Sequence, residues 1–587
     1  MRVDLICLSD GRPAPAWPLG ETRLVPATVA AIVSAAAALA PPAPPPPCSP
    51  AALLFWDAAL GQPDADLVAA LLAGPGDVWH AGLRLGMAGL PALIDYVDPV
   101  WRFNRDPNPA APGVSWRLSL RACLMRADVV RCLGGPAAGF DTLAGAALEL
   151  GHRWVTGGAM LRYVPDLVAA PTGAVDAPTP ADEFRFLRRR YGRMWAAWAA
   201  WRAARHGAGL LATARAFRAA RLAAGAGPAG TLHPVELPTA VGADAPTVSV
   251  LIPTLDRYPH LFVLLDHLRA QTVPPLEIIV VDQTEAAARD LAWPARFADL
   301  PLRVIRRDTA GQCSSRNAGL AIVRGDAVLF LDDDDEAPPD LIARHLAYLA
   351  RFGVDASCGV AEELGAGALP AAFRRVRESD VFPTNNALLR TAALADAGLF
   401  DLAYERGERA DGDLGMRLYL AGKTLGLNPA ASVVHLHAPR GGLRQHRARV
   451  MTRGGSRGSL RQRHLLAPTE GYLWSRYFTP RQVHEALLIR TVATLRGEGR
   501  RPRRLLRAAL MTLLLPDTWR QNRSRLAEGQ ALLARFPSIP AYHPNPLSPG
   551  ERAESQRAQG RASERAESSL PQGEGQGEGQ KGAFVLP

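Results

Sequence analysis

Between residues 246 and 360, short apolar runs rich in β-branched residues alternate with segments whose apolar positions recur at helical spacing. Val248-Ser-Val-Leu-Ile252 reads as a strand, Leu261 to Ala270 as a helix, and Leu276-Glu-Ile-Ile-Val-Val281 as the next strand. Leu302 to Ile305, Ala327 to Leu331 and Val354 to Val360 read as further strands. This alternation predicts an α/β domain, a Rossmann-like and mostly parallel sheet covered by helices. Polar connections at the strand ends then put Thr254 to Arg257, Asp282 to Glu285 and Asp332 to Glu336 on one edge. In open α/β sheets that edge is where ligands bind.

Elsewhere the pattern is less regular. Val3 to Leu8 reads as a strand, and the alanine-rich run Leu24 to Ala40 as a buried helix. Pro41 to Pro50 and Ala170 to Asp182 are proline-rich loops. Glu183 to Ala224 reads as one long helical pattern in which Trp195, Trp198 and Trp201 recur every three residues. Such a stripe suits interdomain packing better than a sugar platform. The apolar run Ala508 to Leu515 is cut by Pro516 and is far shorter than the roughly 20 residues of a spanning helix. No transmembrane segment is expected. Beyond Pro544 large apolar residues almost vanish, which predicts a disordered tail.

The strand Ala327 to Leu331 ends in five consecutive acids, Asp332 to Glu336. Adjacent carboxylates repel unless a cation sits among them, so the run points to a divalent metal and, through it, to a diphosphate leaving group. The competing reading is an acidic helix N-terminus opened by Pro338.

A chain of 587 residues exceeds one core and implies two or three domains. Six scattered cysteines without C-x-x-C spacing exclude a zinc ribbon and a disulfide framework and fit a reducing cytosol. The net charge of +11 favours acidic partners such as nucleotide diphosphates or anionic lipid headgroups. No nucleic-acid-binding motif accompanies the charge, so nucleic acid is not expected as a partner.

Residues 247 to about 440 resemble the family 2 glycosyltransferases, whose catalytic domain has the GT-A fold. The resemblance rests on Val248-Ser-Val-Leu-Ile-Pro-Thr-Leu-Asp-Arg257, Glu277-Ile-Ile-Val-Val-Asp282, Arg316-Asn-Ala-Gly319, Phe330-Leu-Asp-Asp-Asp-Asp335, Asn386-Ala-Leu-Leu-Arg390 and Asp411-Gly-Asp-Leu-Gly-Met-Arg417. It implies that Pro253, Thr254, Asp256 and Asp282 hold the base and ribose of a nucleotide sugar, with Arg316 near the diphosphate and Asp332 and Asp333 beside the donor. The D-x-D motif falls on Asp332 and Asp334, which with His435 and His437 would ligate Mn²⁺ or Mg²⁺. Asp411 takes the place of the base that deprotonates an acceptor hydroxyl, and Asp413 and Asn386 those of acceptor-side or supporting residues. Helix capping is the competing reading for Asp282, Asp411 and Asp413.

Three departures bear on the nucleotide's identity and orientation: Asp256 where asparagine is common, Gln283-Thr284 after Asp282, and Ala410 before the base. The implied activity is metal-dependent inverting sugar transfer from a UDP-, GDP- or dTDP-sugar to a glycan, lipid-linked or other hydroxyl acceptor, in bacterial surface polysaccharide or glycoconjugate synthesis. A non-catalytic nucleotide- or glycan-binding scaffold at the membrane is the alternative, against which Asp332, Asp334 and Asp411 occur together.

The amino-terminal region resembles a decayed copy of the same fold. Leu150-Gly-His-Arg-Trp-Val-Thr-Gly-Gly158 aligns with Leu414-Gly-Met-Arg-Leu-Tyr-Leu-Ala-Gly422, which puts Ala147 at the position of Asp411. Leu54-Phe-Trp-Asp57 aligns with Leu329-Phe-Leu-Asp332, which puts Ala59 at the position of Asp334. The expected organisation is a degenerate GT-A-like domain over 1–170, a helical linker over 171–245, the catalytic domain over 246–440, a basic helical region over 441–544 and a tail over 545–587. In the basic region, arginines from Arg444 to Arg504 interleave with Leu473, Trp474, Tyr477 and Phe478. That pattern suits either a surface for anionic lipid or a solvated face packed on the catalytic domain. The expected location is cytoplasmic, with peripheral contact at the inner face of the plasma membrane if the first reading holds.

Overall fold

The computed structural model describes residues 2–38, 51–88, 105–169, 177–205, 209–220, 231–239, 242, 244–363, 368–438, 441–445, 460–461, 463, 465–497 and 499–544. Pro41 to Pro50, the tail beyond Pro544 and most of the arginines between Arg444 and Arg457 therefore lie outside the described residues.

Two sheets organise the chain. The first comprises β1 (Val3–Ser9), β2 (Thr22–Pro26), β3 (Ala52–Asp57), β4 (Val78–His80), β5 (Ala122–Arg126) and β6 (Leu161–Tyr163), in the order β2-β1-β3-β5-β4-β6. The second comprises β7 (Val248–Thr254), β8 (Glu277–Asp282), β9 (Leu302–Arg306), β10 (Ala327–Leu331), β11 (Asp335–Glu336), β12 (Ala356–Glu363), β13 (Arg377–Glu378), β14 (Asn386–Arg390) and β15 (Leu425–His435). Its order is β11-β15-β12-β14-β10-β7-β8-β9, with β13 alongside β15. The α/β architecture expected for 246–440 is what forms. β7, β8, β9 and β10 run parallel, so Thr254, Asp282 and Asp332 reach the same edge.

Both faces of the second sheet are covered, which is why its strands read as nearly continuous apolar runs. Val248, Val250 and Ile252 point towards helices 258–269 and 341–352. Leu251, Val328 and Phe330 point to the other face, against helices 312–320, 410–420 and 468–477.

The two sheets share one topology. Strand for strand, β2-β1-β3-β5-β4-β6 repeats the order and sense of β8-β7-β10-β14-β12-β15. The register repeats as well. Leu54 pairs with Leu5 and Leu124, as Leu329 pairs with Val250 and Leu388. Met160 N–H donates to Asp77 at 2.7 Å, as Thr424 N–H donates to Asp355 at 2.7 Å.

The sheets' domains also meet reciprocally. A Cβ built on Gly158 would lie 2.6 Å from the Val376 carbonyl oxygen, and one built on Gly422 would lie 2.7 Å from that of Pro112. Pro75 abuts Gly353, its own counterpart. Exchanged contacts of this kind are those of an isologous dimer, here within one chain. Glu378 adds a cross-domain bond, accepting from Leu161 N–H at 2.7 Å.

Several expectations need correcting. Leu24 lies on the exposed edge strand β2, and only Ile32, Ala35 and Ala36 of helix 29–38 are buried. Glu183 to Ala224 is not one helix but 180–190, 192–205 and 210–219, broken at Gly192, where φ is +85°. Nor is it a linker. Phe184, Phe186 and Leu187 join Trp116, Leu148 and Trp154 in the core of the first sheet. Leu473, Trp474 and Phe478 are buried in the core beneath the second sheet, so they offer nothing to a lipid surface. Helix 501–535 runs through Pro516 without ending. Among the described residues no helix is long and apolar enough to cross a membrane.

At Gly158 and Gly422 the backbone is left-handed, at +107° and +79°, and a partner carbonyl occupies the space of a Cβ. Gly158→Ala and Gly422→Ala are each expected to lower the unfolding free energy by roughly 2 kcal/mol, read by urea denaturation. Gly61→Ala, with nothing near its Cβ, should cost only the strain of its +80° φ.

Candidate active site

The acid run does not form a bare cluster of negative charge. Asp332, at the tip of β10, is a third exposed and accepts from Arg316 at 2.8 Å. Asp333 turns inward, where Thr254 Oγ1 donates to it at 2.7 Å and Arg257 at 3.2 Å. Asp334 Oδ2 accepts from Ala438 N–H at 2.8 Å, while its Oδ1 faces Arg257 at 3.1 Å and His435 at 3.8 Å. Asp335 accepts from His435 Nδ1 at 2.8 Å and caps the backbone of Asp332. Arg257, Arg316 and His435 thus supply within the fold the positive charge that sequence reasoning assigned to metal.

Burial sets the acids' proton affinities. It raises Asp333 and Asp335 to about 7, partly offset by Arg257 and by His435 respectively. Asp334 is also desolvated, but His435 and Arg257 outweigh that and hold it below the usual carboxylate range. Burial works against a charged His435, yet the hydrogen bond to Asp335 and the charges of Asp335, Asp334 and Asp332 lift it to about 9. The ring is fixed by its buried carboxylate, which leaves Nε2 as the nitrogen for any further partner. His437 lies beside it, ring centroids 4.4 Å apart, with a left-handed backbone at +49°. Among the described residues no group of three or more histidine, cysteine or acidic side chains is gathered as a ready metal cage. Any cation held by Asp332 and Asp334 therefore needs ligand oxygens from elsewhere.

On the neighbouring strands, Pro253 is partly exposed and Thr254 is buried against Asp333. Asp256 is exposed, in a left-handed turn at +56° held by Thr284 Oγ1. Asp282 is fully buried, and both of its oxygens are taken: Tyr258 donates to one at 2.8 Å and Thr284 N–H to the other at 3.0 Å. It is not presented to a base as expected, and a base imide would have to displace Tyr258. Asp333, also buried, anchors the loop of Thr254 and Arg257.

The helix that carries Arg316 is tied to the loop before Asp411. Gln312, one turn before it, donates to the carbonyls of Tyr404 and Gly407. Glu405 accepts from the backbone N–H of Cys313 and Ser314 at 2.8 and 2.9 Å, which fills the helix N-terminus with a carboxylate. The loop 404–409 so anchored leads into helix 410–420 and Asp411. Asp411 is partly exposed and takes one bond, from Gly412 N–H at 2.8 Å.

Asp413 is buried instead, between Arg417 at 2.9 Å and Tyr477 at 2.8 Å. Asn386 is buried too. It donates to the Val360 and Ala431 carbonyls and accepts from His345 at 2.9 Å, so it supports the sheet and reaches no acceptor.

Arg257, Glu405 and Tyr258 were missed. Arg257 had a visible signal, as the last residue of the first matching run, but which acids it would meet is set across a gap of 76 residues.

Removing Arg257 with Arg257→Leu leaves Asp333 and Asp334 short of a partner and should cost roughly 3 kcal/mol of stability, measured by denaturation. A pH effect is expected at His345, which burial holds near 4, below its ordinary 6.5, despite the bond to Asn386. The folded state keeps this ring neutral while the unfolded chain binds a proton below 6.5. Stability should therefore be full above pH 6.5 and fall as pH drops towards 4, with a shallower fall in His345→Gln.

Residues 249–376 match the family model described as glycosyl transferase family 2. The uncharacterized glycosyltransferase YwdF of Bacillus subtilis is 35% identical over 98 residues, covering 16% of this chain and 36% of that protein. The amylovoran biosynthesis glycosyltransferase AmsB of Erwinia amylovora is 31% identical over 108 residues, covering 18% and 36%. The chain thus spans about a third of the length of these curated relatives.

Among solved structures, the mannosyltransferase PcManGT of Pyrobaculum calidifontis, in complex with GDP-Man and Mn²⁺, aligns over 51% of this chain and 89% of its own. The identity is 19% and the TM-score 0.33. S. aureus TarS 1-349 in complex with UDP-GlcNAc aligns over 54% and 90%, at 17% identity and a TM-score of 0.31. The matched segment runs from β7 through the acid run up to β13, and this part of the chain is similar to the family 2 glycosyltransferases.

Proposed function

We propose that the domain over 246–440 is a metal-dependent, inverting, hexosyltransferase-type enzyme that moves a sugar from a UDP-, GDP- or dTDP-sugar to a hydroxyl of a glycan or lipid-linked acceptor. One observation carries this reading. Gln312 and Glu405 tie the loop before Asp411 to the helix bearing Arg316, and Arg316 meets Asp332, so one helix links the element that carries Asp411 to the acid run.

Two buried polar atoms at this edge, Asp334 Oδ1 and Arg316 Nε, have no hydrogen-bond partner among the described residues. Such deficits are what a ligand fills. Asp332 and Asp334 offer the hard oxygens that Mn²⁺ or Mg²⁺ prefers, with diphosphate oxygens and water needed to complete the shell. Bound there, the cation would neutralise charge on the departing diphosphate.

The remaining work falls to the protein. Arg316 orients the diphosphate and Asp332 the donor's ribose side. Asp411, open on one oxygen, takes the proton of the acceptor hydroxyl as it attacks the anomeric carbon. His435, fixed by Asp335, and His437 would be further ligands for the cation. The name of the Erwinia relative supports a role in surface polysaccharide synthesis.

The amino-terminal domain over 1–170 is a degenerate, inactive copy that braces the enzyme. Ala59 and Ala147 stand where Asp334 and Asp411 do, and Asp57 is closed off by Arg121 at 2.7 Å.

The test is a panel of UDP-, GDP- and dTDP-sugars with Mn²⁺ or Mg²⁺, followed by release of nucleoside diphosphate. Activity is expected to vanish with chelator and in Asp334→Ala, and to fall roughly 10²- to 10⁴-fold in Asp411→Asn with donor affinity retained. Turnover untouched by chelator, or a fully active Asp411→Asn, would overturn the assignment.

A further inference from the structure

Helices 192–205 and 480–493 and the first turns of helix 501–535 enclose an open cleft of about 1110 Å³ that the transfer reaction does not use. Met194, Trp198, Trp201, Ile489, Val492 and Leu505 line it. Its mouth is unusually apolar for a protein surface: Met194 is 58%, Trp201 47%, Val492 55% and Leu505 71% exposed. Leu506 and Leu513 continue the exposed apolar surface along the same helix.

The cleft is built and not merely loosely packed. Beneath it Arg202 and Glu485, both buried, form a 2.6 Å ion pair that pins one wall to the other. Arg496, Arg501 and Arg504 belong to its lining, exposed Arg500 adjoins them, and among the described residues no carboxylate lines it.

We propose that this cleft is a monotopic membrane foot that docks on a bilayer leaflet containing anionic phospholipid. Trp201, Met194, Val492 and Leu505 would enter the acyl boundary, while the arginine rim meets lipid phosphates. Charge complementarity selects this occupant. An apolar protein partner would not require a rim of one sign, whereas a leaflet presents both hydrocarbon and a sheet of phosphate. Tryptophan beside arginine is the side-chain pairing that membrane interfaces favour. The inference is independent of the donor and of catalysis.

The test is flotation of the full chain with phosphatidylcholine vesicles, with and without phosphatidylglycerol. Wild type should float with the anionic vesicles and bind the neutral ones at least roughly tenfold more weakly. Trp201→Glu with Leu505→Glu should weaken anionic binding roughly tenfold or more at any salt. Arg501→Gln with Arg504→Gln, at exposed positions that leave folding intact, should weaken it roughly tenfold at low salt, with the difference closing at high salt. Failure of wild type to float with anionic vesicles, or flotation of both double variants like wild type, overturns the proposal. So does a wild-type dimer in light scattering that Trp201→Glu with Leu505→Glu dissociates, since the cleft would then be an interface between copies.

Discussion

Everything at the sheet edge depends on how five neighbouring acids are kept together. Each described carboxylate from Asp332 to Asp335 has its own cation or backbone donor: Arg316, Arg257, His435 and the amide of Ala438. These partners come from three separate elements, so the acid run acts as a clasp for the loop after β7, helix 312–320 and the end of β15. A cation bound by Asp332 and Asp334 would be added to a site that is already electrostatically closed on its inner side. Such preorganisation leaves the outward acid Asp332 and the Oδ1 of Asp334, without a hydrogen bond among the described residues, to respond to a ligand.

The repeated topology gives the amino-terminal half a physical role in packing. Its sheet reproduces the catalytic one in order, sense and register, and the two domains pack through reciprocal pairs, Gly158 with Val376 and Gly422 with Pro112. An interface of this kind is self-complementary, so both copies can keep it even when one loses its acids.

The carboxyl-terminal helices are part of this frame and not an appendage. Glu470 pairs with Arg409, at the entry to the helix of Asp411, and with Arg490, two residues before the cleft-lining Val492. Tyr477 holds Asp413 in the same helix, and Tyr472 holds Asp401. A surface contact made by helix 480–493 is therefore joined to helix 410–420 through the buried carboxylate of Glu470.

The sequence by itself determined the elements between Val248 and Leu331, because periodicity is local, but not those around Leu24 or Gly192. Alternating apolar runs from Val248 to Leu331 could only be buried strands, and their polar ends could only share an edge. The matched windows around Leu54 and Leu150 were likewise enough to align the two halves, and the strand registers agree with that alignment. What lay beyond reach was every pairing between distant residues. Sequence gave no means of knowing that Tyr258 seals Asp282, that Arg257 stands between Asp333 and Asp334, or that Glu405 fills the N-terminus of helix 312–320. Nor could it place the tryptophans of helix 192–205 opposite Val492 and Leu505, nearly 300 residues away. A side chain's identity fixes what it can bond to, but which partner arrives is decided only when the chain has folded and burial makes an unpaired charge intolerable.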